Sequence, residues 1–546
     1  MFAKKIIFLL IILIAAQSAN AQRPAADTGK PEGKKIDILN AERLSFLKVD
    51  SLHNYTSLSG TGLHQAKVKQ DKTVFYADSL IINEVDNSME AFGNIHINDA
   101  DSVHTYAQYV KYLGREKKAF LKKRVRLTDG NGELTTEELE YDVTLKIGTY
   151  LKGGKVKNKK TVLTSTEGYY YGDTKDIFFK RKVVLTDPAY KIVTDTLQYN
   201  SSTEIATFTS PTRISDTAKL VIKTREGYWD LKNKRGILNK RSVIDDSTYT
   251  FTADDMAIDD STKLSEFRGN AVYRGKDSTQ GFDMIANNIK TDRKKDILLA
   301  TQKPILLIKQ GLDSIFVSAD TLYSARLSDL MKTRYVPNIR DSIKRDTVID
   351  NRKPDSSSNK FIEAYYHVKI FSDSLQAKGD SLFYSLQDSV FRLFKSPVVW
   401  AKENQITGDT IYLYLKNKKP ERLYVFENAM AISKVDSTNY FNQVKGRAIN
   451  ALFTDGKISF LRAKGNAENV YYGQDEQKKF IGVNKSNADI IEVVFEESKP
   501  KTVTFRSNVD GTAYPMRQVN HEELRLRSFI WLDAIRPKSK FEILAN

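Results

Sequence analysis

The chain has 546 residues, no cysteine and a formal net charge of +17 at pH 7. The absence of cysteine excludes disulfides, a thiol nucleophile and cysteine-bound metals. Hydrophobic residues make up 40% of the chain, which is enough to build a core, and 27 tyrosines and 27 phenylalanines favour strands.

The first 21 residues have the pattern of a secretory signal peptide. Lys4 and Lys5 precede an apolar run from Ile6 to Ala16, and Ala19-Asn20-Ala21 is a small-x-small cleavage site. The apolar run is too short to span a membrane comfortably, and no other stretch approaches 18 apolar residues. We therefore expect export to the periplasm, peripheral to the outer membrane, with a mature N-terminus near Gln22.

After this segment, residues 22–39 are rich in polar residues, proline and glycine and predict a flexible leader. The basic charge of the exported chain favours an anionic partner. We expect no nucleic acid to be that partner, because the Lys and Arg residues are dispersed and no recognition helix is evident.

A short pattern then recurs at a period near 30 residues. A polar, usually acidic, residue is followed two and four positions later by apolar or aromatic residues, as in Asp78 with Leu80 and Ile82. The other copies begin at Gln108, Glu137, Glu167, Asp195, Glu226, Asp254, Asn287, Asp320, Asp380 and Asp409. A fixed period of this size indicates a repeat architecture in which each unit buries its apolar face against its neighbours.

Each copy predicts two strands joined by a short turn. In the first full copy, Val74 to Ile82 is one strand, residues 84–88 are a polar turn, and Met89 to Ile97 alternates apolar and polar side chains. The second strand is interrupted by a residue that predicts a bulge or bend: Gly93 and Gly269 in two copies, and Pro211, Pro304 and Pro397 in others. A bend at the same place in each unit would curve the sheet around a groove.

The repeats are predicted over 40–327 and 361–510. Between them, residues 328–360 are rich in Asp, Arg, Lys and Ser, and predict a disordered insert within a hairpin. The C-terminal segment, 511–546, changes character. We expect a short helix from His521 to Ile535, ended by Arg536-Pro537.

Few residues suggest catalysis or metal binding. We call the recurring polar residues of the repeat the acidic column. The column includes Gln108 and Asn287, which a row of ion-binding carboxylates would tolerate poorly. A structural role at the start of the strand is therefore favoured. His96 and His104 could approach each other, but two imidazoles without a third ligand make a poor metal site. Nucleophile-elbow, Walker and HExxH motifs are missing from the sequence. We expect no enzymatic activity, no metal and no cofactor.

Units such as Ala77-Asp78-Ser79-Leu80-Ile81-Ile82-Asn83, followed by Ala91-Phe92-Gly93-Asn94-Ile95-His96-Ile97, resemble the OstA-like (organic-solvent-tolerance) family. That family includes the periplasmic bridge of lipopolysaccharide transport. The resemblance covers roughly 40–327 and 361–500. It implies an elongated, all-β jellyroll of ~30-residue two-strand repeats whose apolar interior shields lipid acyl chains.

The resemblance also implies a ligand and partners. The ligand would be lipopolysaccharide or a similar anionic glycolipid. The partners would be other lipopolysaccharide-transport envelope proteins, or further copies of the chain joined head to tail, which bind through open strand edges. The chain departs from a simple bridge in its greater length, in the insert at 328–360 and in its C-terminal segment.

The second and fourth positions after the recurring polar residue, with the ends of the second strands, are expected to form one dry face against which lipid lies. The residues sampled from this face are Leu80, Ile82, Ile95, Ile97, Val110, Tyr112, Val125, Leu127, Leu197 and Tyr199. Two alternatives remain open. One is a right-handed parallel β-helix that binds or acts on polysaccharide, and the other is a structural envelope scaffold.

Overall fold

The computed structural model describes residues 36–50, 54–130, 132–218, 220–277, 281–310, 313–336, 359–416, 419–435, 438–475, 477, 479–497 and 499–544. Strands make up most of this part of the chain, and the strand pairs in it are all antiparallel. The predicted all-β fold is therefore confirmed, and the antiparallel pairing excludes a parallel β-helix.

The strands form two stacked layers, which we call the first and second sheets. Long strands bend in the middle and belong to both sheets: Ser88–Asp99, Val103–Leu113, Lys118–Thr128, Gly132–Asp142, Asp176–Thr186, Tyr190–Asn200, Leu264–Gly275, Phe282–Asp292, Lys360–Phe371, Gln376–Ser385, Lys419–Lys434, Phe441–Thr454, Lys457–Gln474 and Phe480–Glu496.

Shorter strands, each confined to one sheet, lie between the bent strands. The first sheet contains Arg43–Lys48, Asn54–Ser59, Ser79–Asn83, Ile147–Tyr150, Glu167–Tyr171, Ile205–Phe208, Glu226–Asp230, Arg235–Asn239, Asp255–Asp259, Ile297–Thr301, Thr321–Arg326, Val390–Phe394, Thr410–Lys416 and Lys499–Arg506. The second sheet contains Asp37–Asn40, Ala66–Gln70, Thr73–Ala77, Gly154–Asn158, Thr161–Ser165, Thr212–Asp216, Val221–Thr224, Ser242–Asp245, Tyr249–Ala253, Ile305–Gln310, Asp313–Ser318, Val398–Ala401, Asn404–Thr407 and Asp510–Tyr514.

In six of the bent strands, the bend contains two successive residues in the left-handed region of backbone conformation. In Ser88–Asp99 the pairing register shifts between Phe92 and Ile95, and the residues between them, Gly93 and Asn94, have φ values of 68° and 32°. Gly269 and Asn270 repeat this corner with φ values of 68° and 45°. Two left-handed residues in succession reverse the chain tightly, so the strand leaves one sheet and enters the other. The bends predicted at Gly93 and Gly269 are confirmed.

The recurring acidic residue holds the corner of the next strand. The Asp78 backbone N–H donates to the carbonyl of Gly93 (3.3 Å), and the Asp78 carboxylate accepts a hydrogen bond from Asn94 Nδ2 (2.8 Å). Asp254 makes the same two bonds with Gly269 (3.0 Å) and Asn270 (2.8 Å). The acidic column is structural at these corners, as expected, although its carboxylates bind corner side chains rather than backbone groups.

The corners line one side of the molecule, which we call the closed edge. The hairpin turns of both sheets lie on the opposite side, which we call the mouth. Between the sheets, inward side chains form one continuous apolar cluster that extends from Leu58 to Val493. Each fully buried Leu, Ile or Phe contributes roughly 1.5–3 kcal/mol, so this cluster supplies most of the stabilising free energy.

The predicted boundaries differ from the structure at the leader. Asp37–Asn40 pairs with Ala66–Gln70 and is the first strand of the second sheet, so the leader ends earlier than residue 39. The expected signal peptide and the rest of the leader lie outside the described residues.

The expected insert lies between two strands that pair with each other. Arg326 of Thr321–Arg326 lies opposite Lys360 of Lys360–Phe371, and the helix Leu327–Leu330 follows the first of these strands. Residues 337–358 lie outside the described part of the chain. None of the helices described is long and apolar enough to cross a membrane.

After Asp510–Tyr514 the chain runs back across the outer face of the second sheet. This C-terminal strap, residues 515–544, contains 3-10 turns at Met516–Gln518 and Asp533–Ile535 and the helix Lys540–Leu544. The short helix thus lies downstream of the stretch where we expected it. Leu524 and Leu526 instead pack against Met430, Ile432 and other outward residues of the second sheet.

Three buried glutamines of the second sheet bind the strap. Gln443 Oε1 accepts a hydrogen bond from the Leu526 N–H (2.9 Å), and Gln376 Oε1 accepts one from Arg536 Nε (2.8 Å). Gln405 accepts from the Leu532 N–H (2.7 Å) and donates to the Ile530 carbonyl (2.7 Å). These bonds use backbone groups that an α-helix would need, which explains why the segment from His521 to Ile535 is not helical.

The corner geometry predicts unequal effects of two Gly→Ala substitutions. Gly62 has φ of 58° and open space where a Cβ would lie, so Gly62→Ala should cost about 1 kcal/mol of stability through backbone strain alone. A Cβ on Gly93 would lie 2.4 Å from Asp78 Oδ2, so Gly93→Ala should cost about 2–4 kcal/mol. Urea denaturation of both variants measures the difference, and equal costs would contradict the role of Asp78.

The strap predicts a local effect of Gln405→Ala. The substitution removes both hydrogen bonds to the strap and leaves two partly buried backbone groups unpaired, which should destabilise docking by about 1–2 kcal/mol. Hydrogen exchange should then accelerate at residues 524–532 while the sheets stay protected. The exposed Gln477→Ala is the control, and unchanged exchange in the Gln405 variant would contradict the assignment.

Candidate functional site

The ten residues predicted to form the dry face all lie in the interior between the two sheets. Nine are buried: Leu80, Ile82, Ile95, Val110, Tyr112, Val125, Leu127, Leu197 and Tyr199. Ile97 is half-buried and packs against the same cluster. Alternation along the strands therefore identified inward positions, but only Ile97 and Tyr112 among the ten line an open cavity.

That cavity, which we call the N-terminal cleft, opens at the mouth and has a volume of about 800 Å³. Turns at residues 70–73 and 99–103 bound it on the second sheet, and turns at 84–87, 114–117 and 143–144 bound it on the first. Its apolar walls are formed by Phe75, Ile97, Val103, Tyr112, Leu121, Tyr141 and Val143. This volume is within the usual range for ligand pockets.

Charge is distributed unevenly around the N-terminal cleft. Arg115, Lys117 and Glu84 lie at the first-sheet side, and Asp71 and Asp99 lie at the second-sheet side. Arg115 Nη2 donates to the Val85 carbonyl (2.6 Å), which fixes its guanidinium at the opening. Lys117 is exposed and has no ion-pair partner in the part of the chain that is described. The cleft thus combines apolar walls with two cations at its entrance.

Further along the molecule, side chains join the two sheets across the mouth. Asp129 of the second sheet accepts hydrogen bonds from Tyr170 Oη (3.0 Å) and Lys175 Nζ (3.1 Å) of the first. Asn158 Nδ2 donates to Tyr199 Oη (3.0 Å) and to the Ser201 carbonyl (2.7 Å). Burial, and then the nearby Asp129 carboxylate, raise the pKa of Tyr170, so its hydroxyl remains a donor.

The interior behind these contacts is packed. Tyr190 Oη donates to Asp260 Oδ2 (2.8 Å), and the Tyr190 ring packs edge-on against Trp229 at 5.0 Å. A cavity of only about 20 Å³ remains beside these rings. Leu197 and Tyr199 belong to this closed middle section, which runs from Asp129 to Asp260, and are ordinary core residues in this conformation.

Beyond the closed middle section, a second cleft of about 630 Å³ opens at the mouth. The aromatic side chains Tyr249, Phe251, Tyr273 and Phe282 form a continuous wall along it, with their rings in tilted or edge-on contact. Its cations are engaged: Arg293 contacts Asp260 (2.5 Å), and Lys360 contacts Asp296 (3.1 Å). Its cations are therefore engaged in ion pairs, unlike Lys117 of the N-terminal cleft.

Sequence reasoning missed several residues of the N-terminal cleft. Val103 and Val143 lie next to hairpin turns, outside the positions counted from the recurring acidic residue. Phe75 lies on the strand before that residue and contacts the Tyr112 ring across the cleft at 6.1 Å between ring centroids. Alternate positions along each strand, counted from the hairpin turn instead of from the recurring acidic residue, would have identified these residues.

Both ends of the sheets are open in the part of the chain that the structure describes. Asp37–Asn40 and Arg43–Lys48 each pair on one side only among the described residues, and so do Lys499–Arg506 and Asp510–Tyr514. Phe46, on the edge strand Arg43–Lys48, is 73% exposed. Such edges present unpaired backbone N–H and C=O groups to a further strand.

The structure brings His96 and His104 together on the outer face of the second sheet. His96 Nε2 lies 3.1 Å from His104 Nδ1, and the His96 ring stacks between Tyr76 (5.3 Å) and Tyr106 (4.6 Å). Within the described part of the chain, no group of three or more His, Asp or Glu residues could hold a metal ion. Burial, and then the charges of His104 and Arg126, lower the pKa of His96.

The histidine pair predicts a loss of stability in mild acid. The pKa of His96 in the folded protein lies below its unfolded value of 6.5, so the unfolded chain binds the proton more readily. The stabilisation is complete above pH 6.5 and decreases as the pH falls below it. Thermal melts between about pH 7.5 and pH 5 should show this decrease, and it should be smaller in His96→Gln. His64→Gln, at an exposed turn, is the control; an equal change in both variants would contradict the interpretation.

Residues 34–195 match the model of the family described as OstA-like protein, which confirms the resemblance for that part of the chain. The match includes the N-terminal cleft and the first part of the closed middle section. The same corners and antiparallel pairs continue after residue 195, to the corner at Ser507 and Asn508. No curated protein matches the chain. The chain is therefore similar to the OstA-like protein family over residues 34–195, the region that contains the N-terminal cleft.

Proposed function

We propose that this protein is a non-catalytic envelope protein that binds lipopolysaccharide or a similar anionic glycolipid and helps to carry it across the periplasm to the outer membrane. The N-terminal cleft is the observation that carries the proposal. It is a cavity of about 800 Å³ with apolar side chains on its walls, open at the mouth, and Arg115 and Lys117 lie at its entrance. The match of residues 34–195 to the OstA-like family supports the same function.

The physical basis is the transfer of acyl chains out of water. Each buried CH₂ group contributes ~0.8 kcal/mol, and the walls of the cleft offer apolar surface for several such groups. Phosphate groups of the glycolipid would remain at the entrance, where the two cations provide charge-assisted hydrogen bonds. Neither step requires a catalytic residue.

The closed middle section restricts where the lipid binds. Asp129, Tyr170 and Lys175 join the sheets at the end of the cleft, and the interior beside Trp229 is filled. Binding therefore starts in the N-terminal cleft, and movement along the interior requires these contacts to open. A purely structural scaffold is the second candidate function, and the packed middle section is the observation that favours it.

The open strand edges are the proposed contact sites for partners. An added strand would bind the unpaired backbone groups of Arg43–Lys48 or Lys499–Arg506. A second copy of the chain, or another lipopolysaccharide-transport envelope protein, would extend the two sheets in the same direction. Export through the signal peptide expected at 1–21 places these contacts in the periplasm, peripheral to the outer membrane.

Photo-crosslinking tests the position of the lipid. A crosslinker at Ile97, on the wall of the cleft, should capture purified lipopolysaccharide, whereas one at the adjacent Asn98 should not, because neighbouring strand residues point to opposite faces. A crosslinker at Leu197 should give little product because that position is packed. Val143→Trp, which fills the cleft from a half-buried position, should reduce capture at least several-fold without lowering the melting temperature.

These outcomes separate the two candidate functions. Capture from Ile97 that Val143→Trp abolishes supports a lipid carrier. Equal capture from Ile97 and Asn98, or none from either in the folded protein, would leave the structural scaffold.

A further inference from the structure

The closed edge is one continuous line of corners. The Gly153 N–H donates to the Thr166 carbonyl (2.7 Å), and the Thr166 N–H donates to the Arg181 carbonyl (3.0 Å). Further along, the Arg241 N–H donates to the Asp254 carbonyl (3.2 Å). Because neighbouring strands lie ~4.8 Å apart, corners two strands apart lie roughly 10 Å from one another.

Between residues 122 and 303, most corners carry exposed cations. Some of these are neutralised by the acidic column: Lys152 contacts Glu138 (2.9 Å), Arg181 contacts Glu167 (2.7 Å) and Arg241 contacts Asp254 (3.1 Å). Five others have no ion-pair partner among the residues described, namely Lys123, Arg124, Lys182, Arg225 and Lys303. Two exposed acidic residues of the same edge, Glu137 and Asp195, are also without an ion pair among the described residues, so the closed edge keeps an excess of positive charge.

These cations occupy positions that do not favour them. Lys123, Arg124, Lys182 and Lys303 have φ values of 65°, 53°, 52° and 63°. Residues with a Cβ disfavour this region, and Gly and Asn tolerate it best. Other corners of the same chain use Gly and Asn, at residues 93–94, 269–270 and 465–466. The closed edge between residues 122 and 303 thus carries cations where other corners carry Gly or Asn.

An apolar side chain lies among these cations. Leu151, in the corner between those at residues 122–124 and 180–182, is 57% exposed. Cations interspersed with exposed apolar and aromatic side chains are typical of protein surfaces that adsorb to anionic bilayers. The interfacial region of a bilayer can bind Leu151, whereas a soluble polyanion has no apolar region to do so.

We propose that the closed edge between Lys122 and Lys303 docks the protein on the surface of an anionic lipid bilayer. The cations bind the headgroups, Leu151 enters the interfacial region, and the mouth faces away from the membrane. This docking does not depend on glycolipid binding in the N-terminal cleft.

Vesicle co-sedimentation tests the proposal. The full chain should bind vesicles of phosphatidylcholine mixed with phosphatidylglycerol, should not bind phosphatidylcholine alone, and should dissociate at high salt. The triple variant Lys123→Gly, Arg124→Asn and Lys182→Asn copies the chemistry of the other corners, so its melting temperature should be unchanged or higher. Its binding to anionic vesicles should weaken at least tenfold.

A matched control removes three charges from the mouth. Lys160, Lys232 and Lys234 are exposed residues of hairpin turns, and their replacement by Asn should leave vesicle binding within about twofold of the wild type. Leu151→Asp should weaken binding to anionic vesicles without affecting glycolipid capture at Ile97, which separates this proposal from the proposed function.

Three results would overturn the proposal. Equal weakening by the two triple variants would assign the binding to overall charge. Binding to phosphatidylcholine alone would show that the cations are not required. Binding to soluble dextran sulfate but not to anionic vesicles would assign the closed edge to a soluble polyanion.

Discussion

The corner of two left-handed residues, held by an acidic side chain on the neighbouring strand, is the constraint on which the rest of the structure depends. Without it, each long strand would continue in one flat sheet with an apolar face in water. The corner turns the second half of the strand over the first, so the apolar faces of both halves meet. The chain passes two corners in each cycle of strand and turn, which is why the period is near 30 residues.

Much of this architecture could be predicted from the sequence because it is local. Alternating side chains indicate strands, and glycine marks the corners at Gly93 and Gly269. Corners such as Arg181-Lys182 give no comparable signal, since lysine and arginine have no preference for left-handed backbone. The strap could not be predicted at all. Its backbone is bound by glutamines that lie 83 to 127 residues away in the sequence.

The candidate site was harder to predict than the fold for a related reason. Alternation along a strand determines which face a side chain occupies, and all ten predicted residues are on the inner face. The distance between the sheets decides whether such a residue is accessible. Contacts across the mouth set that distance, and the residues that make them, such as Asp129 and Lys175, are 46 positions apart. The same inward pattern therefore gives an open cleft in one region and packed core in another.

The strap has a consequence for how the molecule unfolds. In a repeat protein each unit contacts only its neighbours, so units can open from either end one after another. The strap connects Arg536 to Gln376, 160 residues earlier, and Leu526 to Gln443, so the C-terminal repeats cannot separate without releasing it. We expect these repeats to open as one cooperative unit. The N-terminal repeats have no such connection among the described residues, and the end of the molecule that carries the cleft is therefore the more easily deformed.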